Sequence, residues 1–316
     1  MRFQAGEADL LNRIGAKNYA ALAKQGEQRG YALEDAGPGF EYSFLLFNLG
    51  GDRGGAWKRV ALRRAVSAAI DREAIVRLVY QGFATPLGSP VAAGNRPWLD
   101  PRLAAPRHSP AKARELLAAD GFKWRQDGVL LDPDGRPAGF SILVSSSNPE
   151  RTQMATLIQA DLKTLGVPVD VVPLEFGSLL DRVYRSREYD ACVCAIASTD
   201  ADPTVDLNIW LSSSAQHLWN PSQKTPATAW EAEIDRLMRQ QMVARDRTAR
   251  KRLFDRVQEI AMENLPLIPL ATPHLLIGAK KDLGNVRGAA LDPYALSNIE
   301  EIYWRKAGTS TGTTRR

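Results

Sequence analysis

Tyr189-Asp190-Ala191-Cys192-Val193-Cys194-Ala195-Ile196-Ala197 runs directly into Ser198-Thr199-Asp200-Ala201-Asp202-Pro203. The first part reads as a strand, and its lack of polar alternation predicts burial on both faces, as in sheets covered by helices on either side. Such sheets bind ligands outside the carboxyl ends of their strands. At that end this chain carries two carboxylates, Asp200 and Asp202.

The residues upstream extend the pattern. A strand over 140–145 leads to a helix capped by Asn148-Pro149 and stopped by Gly166. A second strand over 167–173 leads to a helix over 177–186, and then comes the opening strand. Alternation of this kind predicts a β-α-β-α-β unit with parallel strands and right-handed crossovers. The polar ends Ser145-Ser146-Ser147-Asn148 and Ser198-Thr199-Asp200 then share one rim of the sheet, which makes Ser146, Ser198 and Thr199 candidate ligand contacts.

Further out, Glu41-Tyr42-Ser43-Phe44-Leu45-Leu46-Phe47-Asn48-Leu49 predicts another strand, closed by Gly50-Gly51-Asp52-Arg53-Gly54-Gly55. Those glycines match neither the dinucleotide nor the Walker spacing and read as a connector. Helices are expected over 60–70 and, capped by Asp71, over 72–81. Residues 86–106 suit a long ordered loop. Ser109-Pro110 opens a helix that Gly121 ends, and Asp127-Gly128 with Asp132-Pro133-Asp134-Gly135 frame a hairpin. Thr228-Ala229-Trp230-Glu231 is a capping box, and Asp246 caps a second long helix reaching Asn264. Leu265-Pro266-Leu267-Ile268-Pro269-Leu270 reads as an extended approach to a strand over 275–278, because proline is excluded from central strands. Residues 307–316 read as a disordered tail.

Composition narrows the function. The 316 residues are 44% hydrophobic and 24% charged, ample for a sizeable core. The net charge of +5 is dispersed among acids, without the basic stripe and interleaved aromatics of a nucleic-acid binder. The chain lacks a run long enough to span a membrane and a basic-apolar signal at its start. Its three histidines lie far apart, without ligand spacing, so neither a metal nor another cofactor is expected. The two cysteines, Cys192 and Cys194, point to one strand face with poor geometry for bonding each other and read as small buried hydrophobes. Nucleophile elbows and zincin motifs are absent. Asp200 and Asp202 lack the partners a catalytic pair requires, and no enzyme is expected. Asp200-Ala201-Asp202-Pro203 is open to two readings: a plain turn, or a carboxylate site for a cationic group. Trp219, in a loop beyond that turn, is a candidate pocket wall. Arg63-Arg64 reads as a solvated or salt-bridged face.

Taken in order, Phe47-Asn48-Leu49, then Arg63-Arg64-Ala65-Val66-Ser67-Ala68-Ala69-Ile70-Asp71-Arg72-Glu73-Ala74-Ile75-Val76, Gly82-Phe83-Ala84-Thr85-Pro86 and Ser89-Pro90 resemble the second half of family 5 extracellular solute-binding proteins. The likeness continues through Ser109-Pro110-Ala111-Lys112-Ala113-Arg114-Glu115-Leu116-Leu117, Asp127-Gly128, Asp134-Gly135-Arg136-Pro137, Tyr189-Asp190, Asp200-Ala201-Asp202-Pro203, Trp219-Asn220 and Glu263-Asn264-Leu265-Pro266-Leu267-Ile268-Pro269. The resemblance covers about residues 1–306. It implies an α/β fold, the C-terminal lobe of a periplasmic binding protein type II-like receptor: a mixed sheet with flanking helices, plus strands belonging to an incomplete first lobe.

By the same resemblance, residues 1–48 are a remnant of the first lobe with a hinge strand. Residues 49–279 are the second, solute-binding lobe, and 280–306 return to the first. The receptor closes around a peptide or other small solute and delivers it to an ABC transporter permease, in the periplasm or outside the cell. The strand and acidic turn line the cleft, Asp200 matches the acid that binds a peptide amino terminus, and Asp202 lies beside it. The chain departs from the family where Ala195-Ile196-Ala197 replace a Gly-Trp, and where Phe3-Gln4-Ala5-Gly6-Glu7-Ala8-Asp9 resembles an interior segment of the first lobe. The alternative reading is a gene fragment, or half of a split receptor, that binds nothing alone.

Overall fold

The structure is a computed structural model and describes residues 3–25, 30–51 and 54–305. The expected tail lies outside the described residues, as do Asp52 and Arg53 of the glycine-rich connector.

In chain order, β1 (Leu10–Leu11) and α1 (Ala16–Ala23) precede β2 (Tyr31–Pro38) and β3 (Glu41–Phe47). Next come α2 (Val60–Ala69), α3 (Arg72–Leu78), β4 (Ala84–Pro86), α4 (Pro110–Ala119) and the hairpin of β5 (Lys123–Trp124) with β6 (Leu130–Leu131). The alternating unit is β7 (Phe140–Ser145), α5 (Pro149–Lys163), β8 (Val169–Leu174), α6 (Phe176–Leu180) and β9 (Ala191–Ala197). After it come α7 (Leu207–Trp210), α8 (Ala229–Val243), α9 (Arg247–Asn264), β10 (Leu267–Lys280), β11 (Leu283–Gly284) and β12 (Tyr303–Trp304).

One mixed sheet organises the molecule, in the order β1-β10-β3-β9-β7-β8, with β2 and β4 also paired to β10. β9, β7 and β8 are parallel, as the β-α-β-α-β reading requires, while β3 joins β9 and β10 antiparallel. The carboxyl ends of β7 and β9 therefore share a rim. A core lies on each face. Leu45 and Phe47 of β3, Ala191 and Val193 of β9, and Ile142 and Val144 of β7 pack beneath α2 and α5. Tyr42, Phe44, Leu46, Leu143 and Cys192 face α8 and α9.

The helix caps are those expected from sequence. Asp71, Ser109, Asn148, Thr228 and Asp246 each accept a backbone N–H from the first turn of their helix, satisfying donors that a helix start otherwise leaves open. The 86–106 loop is clamped to α9 by Gln258, which accepts from Ser89 Oγ at 2.8 Å and the Asp100 N–H at 3.0 Å and donates to the Trp98 carbonyl.

Four expectations are corrected. First, the proline-rich 265–270 segment is no mere approach. β10 runs unbroken through Pro269 and Pro273: Pro269 lies opposite Phe44, just before a register shift, and Pro273 opposite Ala84 of the short β4. Second, α3 stops at Leu78, ahead of a left-handed Gln81. Third, the helix after β8 is α-helical only over Phe176–Leu180 and widens into a π-helical Asp181–Ser186. Fourth, Arg63 is neither solvated nor salt-bridged. It is buried and donates to the carbonyls of Trp57, Lys58 and Asn264, the last at the end of α9.

Candidate functional site

β9 changes character along its length. Ala191, Cys192 and Val193 are buried, Cys194, Ala195 and Ile196 are half-buried, and Ala197 is exposed. The cause is the ladder. β3 accompanies β9 throughout, from Phe47↔Ala191 to Glu41↔Ala197, whereas β7 pairs only Ala191 and Cys192. Beyond Cys192 no described strand lies along that side. The Ser198 N–H donates to Phe40 and the Asn48 N–H to Asp190, so the even-numbered residues of β9 bond β3. By alternation the odd-numbered residues face the other way: the parallel bridge of Leu143 with Cys192 uses the Val193 N–H, and the backbone N–H groups of Ala195 and Ala197 lie beyond the end of that ladder.

At the rim, Ser146 is exposed, its N–H held by the Leu174 carbonyl. Buried Ser145 shares a 2.9 Å hydroxyl contact with Ser147. Thr199 and Asp200 are exposed; Asp200 Oδ1 accepts the Asp202 N–H at 3.1 Å. Asp202 accepts from Thr204 and, at 2.7 Å, from Arg250, which in turn stacks on Trp98. Burial would raise the Asp202 carboxyl, but Arg250 and Thr204 hold it below the usual carboxylate range. Its charge is therefore spent inside the fold, and the pair Asp200 and Asp202 resolves into one free rim carboxylate and one turn-fixing carboxylate.

Trp219 does not wall the cleft. It is fully buried, donates Nε1 to Glu231 at 3.0 Å and stacks among Trp210, His217 and Trp230. An aromatic residue in a loop looked available, yet the loop packs onto α8, whose buried Glu231 also takes donors from Gln223 and Thr228.

Three acids escaped the sequence reading. Asp206 accepts the Ser198 hydroxyl at 2.6 Å beside a crevice with room for one water; burial, partly opposed by Ser198, raises its carboxyl. Asn95 reaches the same crevice, with Nδ2 given to the Ala201 carbonyl and Oδ1 buried without a partner. On the opposite face, Glu41 and Glu150 line a cavity of about 400 Å³ with Arg13, Tyr80, Asn148 and His274. Burial and then the Glu41 carboxylate raise the Glu150 carboxyl, while Glu41 is paired with Arg13 at 2.6 Å. Only the spacing of Asp206, four residues beyond Asp202 in a proline-started turn, could have flagged it from sequence. Among the described residues no group of three or more His, Cys, Asp or Glu is placed to hold a metal, and no helix is long and apolar enough to cross a membrane. The arrangement is a strand whose outer half has no described strand along one side, ending in hydroxyls and a carboxylate.

Both the sequence and the fold have counterparts among known proteins. Residues 1–217 match the sequence profile described as bacterial extracellular solute-binding proteins, family 5 Middle. A probable ABC transporter-binding protein of Deinococcus radiodurans is 26% identical over 290 residues, which is 85% of this chain and 48% of that protein. The fold is similar to NikA from Brucella suis in complex with Fe(III)-EDTA (TM-score 0.81, 24% identity, 96% of this chain and 59% of that one). It is also similar to the oligopeptide-binding protein AppA from Bacillus subtilis in complex with a nonapeptide (TM-score 0.76, 23% identity, 96% and 57%). The chain spans about half the length of the curated relatives it matches.

Proposed function

Because the chain belongs to the bacterial extracellular solute-binding proteins, family 5, we propose that it supplies one wall of a receptor cleft that holds a peptide or peptide-sized solute reversibly and passes it to an ABC importer permease. Family 5 comprises non-enzymatic carriers of peptide and nickel importers that work in the periplasm or outside the cell. The observation that carries the reading is the open edge of β9 beyond Val193, leading into Ser198, Thr199 and Asp200. An extended peptide laid along such an edge gains main-chain hydrogen bonds independent of its side chains.

In this reading Asp200 receives the ligand's ammonium group, Ser198, Thr199 and Ser146 offer hydroxyls at the rim, and Trp219 stiffens the wall from behind. Residues 49–279 then form the solute-binding lobe with the hinge strand β3, which lies between β10 and β9 in its sheet, and the rest of 1–48 with 280–306 belongs to the other lobe. The pairing of β1 and β2 with the far end of β10 supports that division. A second reading, in which this half binds nothing tightly by itself, is favoured by the one-sidedness of the rim: the crevice beside Ser198 holds no more than a water, and a ligand usually needs most of its surface buried.

Calorimetric titration with a tripeptide tests the proposal. Weak binding is expected, reduced about tenfold or more both by Asp200→Asn and by acetylation of the peptide amine, the scale of one lost charge-assisted hydrogen bond. Equal affinity for Asp200→Asn and the wild type removes Asp200 from the role. Absence of any binding favours the second reading.

A further inference from the structure

The water-sized crevice beside the rim is lined by acceptors that the fold leaves over. It lies between the end of β9, the 86–106 loop and α7, with room of about 20 Å³, the space of one water. Asn95 is rigidly placed there. Its N–H goes to the Ala92 carbonyl and its own carbonyl accepts from Trp98 and Leu99, while Gly94 packs so closely on residues 38–39 that a Cβ would come within 2.3 Å of the Pro38 carbonyl oxygen. Asn95 is only 8% exposed and gives Nδ2 to the Ala201 carbonyl at 2.8 Å. A carbonyl can only accept, so that bond fixes the orientation of the amide and leaves Oδ1, an acceptor, without a partner. Asp206, the last residue of a turn over Pro203–Asp206, accepts the Ser198 hydroxyl at 2.6 Å, so the Ser198 oxygen keeps a lone pair to offer. Burial and Ser198 act on the Asp206 carboxyl, and no cation does. The neighbouring Arg250 is committed to Asp202.

We propose that this crevice is the seat of a primary ammonium group at the tip of an alkyl chain, with Asp206, Asn95 and Ser198 as its three acceptors. An ammonium carries three N–H donors and no acceptor, and it is about as large as a water. Asp206 supplies the counter-charge, and Asn95 Oδ1 and the Ser198 lone pair take the other two protons. A water has two donors, so it serves two of the three acceptors and brings no charge to Asp206. A planar guanidinium is too large for the space. Among the described residues that line the crevice there is no Lys, Arg or His to compete. Val91, Ile196 and Ile209 line it too and offer apolar surface to the alkyl stem. A lysine side chain and a free aliphatic amine carry the same group. The lysine case rests on the peptide reading above, which it deepens by naming a side chain, and the free-amine case stands without it.

Two titrations of the full chain test the site and separate its sources. In the first, n-butylammonium at neutral pH is followed by amide NMR. It is expected to bind weakly and to shift the amides of Asn95, Ser198 and Ile209, whereas butylguanidinium, with the same stem and charge, leaves them in place. Asp206→Asn, an isosteric change that still accepts from Ser198, is expected to weaken butylammonium about tenfold or more. Ser198→Ala keeps the carboxylate, removes one acceptor and weakens it by a smaller factor. Circular dichroism checks each fold, and Ser198→Ala is the informative variant should Asp206→Asn unfold. In the second titration, by calorimetry, a tripeptide with lysine between two alanines is expected to bind about tenfold tighter than the same peptide with norleucine, and Asp206→Asn to erase the difference. Both peptides have a free amino end, so the role given to Asp200 cancels between them. A butylammonium response without a gap between the peptides supports the site and makes a free amine its source. No shift with butylammonium, an equal response to butylguanidinium, or undiminished binding in Asp206→Asn overturns the proposal and leaves the crevice to a water.

Discussion

At the scale of single residues, charge at this rim is sorted by burial. Asp200 projects into solvent and Asp202 is consumed by Arg250, so their substitutions should part company. Asp200→Asn is expected to leave stability within about 0.5 kcal/mol of the wild type, as for most exposed positions, while Asp202→Ala costs about 1–2 kcal/mol by freeing Arg250 and the Thr204 turn. Thermal denaturation separates the two. Glu231 gives a sharper case. Burial would raise its carboxyl, but hydrogen bonds from His217, Gln223, Thr228 and Trp219 prevail and lower it to about 2 from an ordinary 4.5. A depressed folded-state value means stability that is fully present above 4.5 and lost as pH falls towards 2. The melting temperature should therefore drop through that acid window. Glu231→Ala should melt lower at neutral pH, by about 3 kcal/mol of stability, and show a flatter acid dependence.

At the scale of elements, local signals were legible and distant ones were not. The caps at Asp71, Ser109, Asn148, Thr228 and Asp246 could be read because a side chain and the N–H it accepts lie three residues apart. Arg63 could not, since the carbonyl it secures on Asn264 is 201 residues away. Arg63→Met is expected to cost about 2 kcal/mol by leaving buried carbonyls without a donor, measurable by urea denaturation. Trp219 was misjudged for a related reason: a loop aromatic looks exposed until α8 brings Glu231 beneath it. The prolines of β10 misled because the pairing that accommodates them, with Phe44 beside a register shift and with Ala84 of β4, joins residues far apart in the sequence. The two sides of β9 yield their own prediction. The amides of Cys194 and Ile196, bonded to β3, and of Val193, bonded to β7, should exchange slowly, and those of Ala195 and Ala197 quickly. Residue-resolved hydrogen exchange by NMR reads this directly, and uniform protection along the strand would mean that the open side is covered.

At the scale of the molecule, the sheet explains why the site lies where it does. β3 and β10 tie the 1–48 region to the end of the chain, and the parallel trio β9, β7 and β8 presents its carboxyl ends at one rim. The α/β class and the family resemblance could be read from the alternation and the motifs. The open edge could not, because it depends on where the β7 ladder stops. The most direct measurement is the NMR exchange of the β9 amides as a tripeptide with a free amino end is added. The account predicts that Ala195 and Ala197 become protected while Val193, Cys194 and Ile196 stay as they were, and that Asp200→Asn weakens the effect. Peptide binding that leaves those two amides exchanging freely would contradict it.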